Sequence, residues 1–154
     1  MKHIDVQTFD RIGTVWFGEE DGLLTDLSFS PLSGGERKIT PLLQMVQTQL
    51  EEYLSGKRKE FDLPLLLPEK GFCGEVYSSL MKIPYGETAT YSMIAKEIGN
   101  PKAARAVGAA CAKNPILIVI PCHRIVGANG NPTGYVGGID KKIALLTLEG
   151  LNNM

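Results

Sequence analysis

No stretch of this chain is apolar for long enough to cross a membrane. The longest aliphatic run is Ile116 to Ile120, against the ~20 residues that a span needs. The opening MKHIDVQTFD lacks the apolar segment of a signal peptide, so export is not expected and a cytoplasmic location is. Cysteine is scarce: Cys73, Cys111 and Cys122, an odd count with no CxxC pair. That excludes a disulfide scaffold as the organising principle and fits a reducing compartment. Three scattered cysteines and two distant histidines do not readily supply a zinc site, so no metal is expected. There is no internal repeat or low-complexity tract. Acidic residues are missing from one long region. From Ile98 to Ile139 there is no Asp or Glu, while Lys102, Arg105, Lys113 and Arg124 remain. The net charge of −1 therefore conceals a purely basic segment. It is either a surface facing a polyanion or a chance placement in a loop-rich stretch.

What is present is ordinary for a folded protein: 154 residues, 44% hydrophobic and 21% charged, enough for one compact domain or a domain with an appendage. Residues 2–9, 12–18 and 22–29 read as strands, with a turn at Asp10-Arg11 and another in EEDG. SGGE at 33–36 reads as a loop. Thr40 is a helix N-cap with Pro41 in the first helical position. Leu42, Leu43, Val46, Leu50 and Leu54 follow on one face, and Gly56 stops the helix. Residues 57–71, with Pro64 and Pro68, read as a linker. The expected domains are a small α/β unit over 1–65 and a mostly helical unit over 70–154.

In the second unit Phe72, Val76, Leu80 and Ile83 predict a helix over 71–82, followed by a turn at Pro84-Tyr85-Gly86. Thr90 caps a helix through Ile98, Gly99 ends it, and Asn100-Pro101 opens another through about Lys113. Two short helices joined by a tight turn outline a helix-turn-helix, although plain core packing gives the same outline. The second of these helices is dominated by Ala103, Ala104, Ala106, Gly108, Ala109, Ala110 and Ala112 around Arg105. Small side chains permit close approach, either to another helix or to a DNA groove into which an arginine could insert.

Ile116 to Ile120 reads as a buried strand ending in Pro121-Cys122-His123-Arg124. A proline at a strand end fixes the chain direction and would hold Cys122 at the exit of a rigid element. A thiol there becomes a nucleophile if its thiolate is stabilised, with neighbouring His123 moving the proton directly or through water. The alternatives are a small buried hydrophobe or a metal ligand.

Taken together, IPYGETATYSMIA (83–95), GNPKAARAVG (99–108), NP (114–115), IPCHRIV (120–126), GYVGGIDKK (134–142) and LLTLEG (145–150) resemble, in order and spacing, the O6-alkylguanine-DNA alkyltransferase family. The specific likeness covers about 70–150; the first part resembles the family in outline. The resemblance implies a small antiparallel sheet plus helix, ribonuclease-H-like, followed by a winged-helix-like unit with a helix-turn-helix. It implies repair of double-stranded DNA by direct reversal: a damaged guanine is flipped into a pocket, and its O6-alkyl group passes once, irreversibly, to Cys122. O4-alkylthymine is a further candidate substrate. By the same likeness His123 takes the thiol proton, Glu149 orients His123, and Tyr91 hydrogen-bonds or protonates the base. Arg105 fills the gap left by the base, with Lys102, Ala103, Ala104, Ala106 and Gly108 on the DNA side, in the minor groove and without sequence preference. Asn114, Pro121, Ile125, Tyr135, Val136 and Gly137 form the pocket. No cofactor is implied, and the chain would act as a monomer.

Two departures from the family pattern stand out. Leu117 occupies a position that is small or proline in many relatives, and Val136 stands where some have serine. Competing readings are an alkylated-DNA sensor without transfer, a transcription factor and a thiol hydrolase. The presence of Cys122 disfavours the first. A recognition helix of alanines offers little to base edges and disfavours the second, and no hydrolase signature supports the third.

Overall fold

A computed structural model describes residues 1–68 and 70–151. The last residues of the expected second domain, 152–154, lie outside the described residues. The chain divides into two compact units, Met1–Leu66 and the part from Leu67 onward.

In the first unit, β1 (Lys2–Phe9), β2 (Gly13–Glu20) and β3 (Leu23–Ser28) form an antiparallel meander. The β2–β3 connection is Asp21-Gly22, and both residues have positive φ, 53° and 77°. That is the backbone a two-residue hairpin demands and the Asp-Gly pair tolerates. A short β4 (Glu36–Arg37) lies within the stretch read as a loop and pairs parallel with β1, giving the order β3-β2-β1-β4. The sheet is therefore mixed rather than purely antiparallel. Helix α1 (Pro41–Leu54) begins as expected, with the Thr40 hydroxyl accepting from Leu43 N–H at 3.1 Å. It buries Leu43, Val46, Leu50, Tyr53 and Leu54. The proline-bearing segment after it is tied down. Gln49 bonds both the N–H and the C=O of Asp62, and Pro64 and Leu66 pair with the backbone of Leu24.

The second unit holds α2 (Gly71–Leu80), β5 (Ala89–Thr90), α3 (Tyr91–Glu97), α4 (Ala104–Ala112), a 3-10 turn at Cys122–Arg124, β6 (Ile125–Val126) and α5 (Ile139–Leu148). α3 has the predicted Thr90 cap, which accepts from Met93 N–H at 3.1 Å. α4 starts at Ala104 because Asn100–Ala103 forms the turn that precedes it. The Tyr77 hydroxyl donates to Ala110 C=O at 2.8 Å and joins α2 to α4.

The aliphatic run Ile116–Ile120 is buried but is not a strand. It is a sequence of tight turns, with Val119 N–H to Leu117 C=O at 2.8 Å and Ile118 at φ +72°. A short apolar run specifies burial, not conformation. Here Asn114 supplies the missing ladder: its Oδ1 accepts from Ile116 N–H at 3.0 Å and its Nδ2 donates to Ile120 C=O at 2.9 Å. The positive φ of a β-branched residue costs about 1–3 kcal/mol, and Ile118 is 1% exposed, held there by its packing.

Candidate active site

Two elements of two residues each assemble the site. β6 follows the turn carrying Cys122, His123 and Arg124, and pairs parallel with β5, Ala89 to Ile125 and Thr90 to Val126. β5 runs directly into α3, whose first residue is Tyr91. Ile125, expected in the pocket, serves this pairing and is fully buried.

Behind Cys122, Asn114 Nδ2 donates to Sγ at 3.2 Å. His123 is fully buried, with Nε2 2.9 Å from Glu149 Oε2. A carboxylate only accepts, so the proton sits on Nε2 and Nδ1 presents its lone pair. Nδ1 has no hydrogen-bond partner among the described residues. Burial pushes the Cys122 thiol up to about 11, against the opposing effects of the Asn114 bond and the Lys142 charge. Burial likewise pushes His123 down from 6.5, opposed by Glu149. Thiol and imidazole are thus both neutral at pH 7. Burial therefore favours the protonated sulfur, and a base assists formation of the thiolate.

A cavity of about 320 Å³ opens over the sulfur, lined by Tyr91, Gly108, Cys111, Ala112, Cys122 and the segment Gly134–Val136. That volume falls within the range of small-molecule sites, ~300–1,000 Å³. Tyr135 and Val136 line it as expected. Asn114 stands behind the sulfur, and Pro121, Ile125 and Gly137 are not part of the lining. Gly108, assigned to the DNA side, belongs to the cavity: a Cβ there would lie 3.7 Å from the Tyr91 ring. On α4, Val107 and Ala110 face inward. Lys102, Arg105, Ala106, Ala109, Ala112 and Lys113 are exposed, and Ala104 is half-buried. Ala103 is buried, so its methyl is not part of that exposed face.

Two residues escaped sequence reading. Arg124, counted as a surface cation, is buried. It bonds Glu149 from Nε at 2.8 Å and from a terminal nitrogen at 3.0 Å, and Ile83 C=O at 2.7 Å. Lys142 is 1% exposed, and its charge acts on Cys122 and Cys111. Its signal was available: Lys142, Leu145 and Leu146 fall at i, i+3 and i+4 on the buried face of α5, and Glu149, its C-cap, follows at i+7.

The second unit matches the model described as 6-O-methylguanine DNA methyltransferase, DNA binding domain, over residues 71–151. Residues 12–67 match 6-O-methylguanine DNA methyltransferase, ribonuclease-like domain. The chain is 43% identical over 152 residues to the methylated-DNA--protein-cysteine methyltransferase of Mycolicibacterium paratuberculosis, covering 95% of this chain and 92% of that one. It is 56% identical over 102 residues to the protein of the same name from Methanosarcina acetivorans, covering 66% of this chain and 65% of that protein's length. It is also similar to a crystal structure of Mycobacterium tuberculosis OGT in complex with DNA, with TM-score 0.88, 40% identity and coverage of 96% and 92%.

Proposed function

The chain belongs to the 6-O-methylguanine DNA methyltransferase family, and we propose on that premise that it repairs DNA by moving an alkyl group from guanine O6 to its own Cys122. The observation that carries this reading is Cys122 in the wall of a cavity lined also by Tyr91, with Asn114 bonded to its sulfur and the buried pair His123–Glu149 beginning at the next residue. An alkylated guanine leaves the duplex and enters the cavity, and its unstacking is compensated by Arg105, the exposed cation near the start of α4. The Cys122 proton passes through a water molecule to His123 Nδ1, and Glu149 stabilises the imidazolium. Sγ then forms a bond to the alkyl carbon as the carbon–O6 bond breaks. The electron pair leaves on the purine, where Tyr91 shares its proton with a ring nitrogen.

The thioether so formed does not hydrolyse, so each molecule acts once. The consecutive helices α3 and α4 act as a helix-turn-helix that lays its alanine-rich face in the minor groove, contacting DNA without sequence preference. Every group named comes from one chain, so a monomer suffices. The cytoplasm, where thiols stay reduced, is the fitting compartment. The test is intact mass after incubation with a duplex bearing one O6-methylguanine. One methyl less a proton is gained on Cys122, and nothing is gained by Cys122→Ala. Repeated turnover or an unmodified protein overturns the reading.

A further inference from the structure

The Tyr91 hydroxyl is already engaged in this structure: it lies 2.9 Å from Thr133 Oγ1, in a partly buried contact between residues 42 apart in the chain. Thr133 precedes the Gly134–Val136 wall of the cavity. The loop that carries it is braced by its own bonds, Gly127 N–H to Asn131 C=O at 2.9 Å, Gly130 N–H to Gly127 C=O at 2.8 Å and Asn131 N–H to Asn129 Oδ1 at 3.1 Å. The Thr133 methyl packs on Gly127, where an added Cβ would come within 3.1 Å of it. The methyl contact and the stiffness of a β-branched side chain hold the hydroxyl on Tyr91.

We propose that Thr133 is a positioning residue for the transfer reaction and acts through Tyr91. This rests on the reading of the site given above. A threonine hydroxyl both donates and accepts, and it changes role by rotation. As Sγ bonds to the alkyl carbon and the carbon–O6 bond breaks, the electron pair spreads into the purine and the Tyr91 proton moves toward a ring nitrogen. The phenol oxygen then gains negative charge. Thr133 turns its hydrogen onto that oxygen, so that the charge meets a donor already in place. Hydrogen bonds to a charged oxygen are stronger than neutral ones, and linked bonds reinforce each other. The effect therefore appears in the transfer step more than in DNA binding.

The test is single-turnover methyl transfer by the full chain to Cys122, with duplex affinity measured alongside. Thr133→Val keeps the shape and removes the hydroxyl. It slows transfer on the order of tenfold with unchanged duplex affinity. Thr133→Ser, which keeps the hydroxyl but loses the methyl that anchors it, recovers part of the rate. In a Tyr91→Phe background, Thr133→Val has no further effect. Equal rates for Thr133→Val and wild type overturn the proposal. So does a Thr133→Ser variant as slow as Thr133→Val, or an effect that persists undiminished without the Tyr91 hydroxyl; each would mean a structural role or none. A wild-type chain that takes up no methyl overturns the functional reading itself, and the proposal with it.

Discussion

At the scale of single residues, the proposed transfer draws on two groups that burial holds toward neutrality and on one buried ion pair. Glu149 holds His123 with one oxygen and Arg124 with both. Its charge cannot be removed without leaving Arg124 buried and unpaired. Glu149→Gln is expected to destabilise the fold by about 3 kcal/mol, read by chemical denaturation, and to slow transfer. The pH dependence follows from His123. Its folded value lies below 6.5, so between that value and 6.5 the unfolded chain binds a proton that the folded chain does not. Stability is therefore complete above that window and falls as pH is lowered through it. The transfer rate is expected to be level around pH 7 and to fall only below 6.5, where Nδ1 is no longer free to accept. A fall centred at or above 6.5 contradicts the assignment. A rise toward pH 11, where the Cys122 thiol ionises without help, is the alkaline counterpart.

Among the elements, α4 shows a conflict between local preference and cavity shape. Gly108 has ordinary φ and a clear 3.7 Å to the nearest Tyr91 atom. Gly108→Ala is therefore expected to raise stability by ~1 kcal/mol through helix propensity. The same methyl enters the cavity wall, so transfer of groups larger than methyl slows. Thermal denaturation and a series of alkyl sizes measure the two effects separately. The Thr40 cap of α1 gives an independent check in the other unit. Thr40→Ala costs about 1 kcal/mol and leaves transfer unchanged. Helix α4 begins later than expected and α5 was not among the expected helices, whereas α1, α2 and α3 were legible because caps and 3.6-residue periodicity are local. The turns at 116–120 were not, because a valine-isoleucine run is equally apolar in any conformation, and the group that bends it is the side chain of Asn114.

Across the whole molecule, charge is unevenly divided. The first unit carries 7 basic and 11 acidic residues, and the part from Leu67 onward 9 basic and 6 acidic. The acid-free segment is less basic on its surface than in the sequence, because Arg124 is buried against Glu149. Lys102, Arg105 and Lys113 are left exposed. If these three meet phosphates, the log of duplex affinity falls with the log of salt at a slope of roughly −3, and Arg105→Ala makes that slope shallower. Arg105→Ala also slows repair in duplex more than reaction with a free alkylated base; equal slowing removes its role in extruding the base. Among the described residues no helix is long and apolar enough to cross a membrane.

The amino-acid order alone determined α1, α2 and α3, the Thr40 and Thr90 caps and the three-strand meander, since each of these is written in neighbouring side chains. Tertiary structure alone decided that Arg124 turns inward, that Lys142 lies buried, that Thr133 meets Tyr91 and that burial disfavours ionisation of the Cys122 thiol. Those outcomes depend on burial and on contacts between distant segments, and both exist only after the chain has packed.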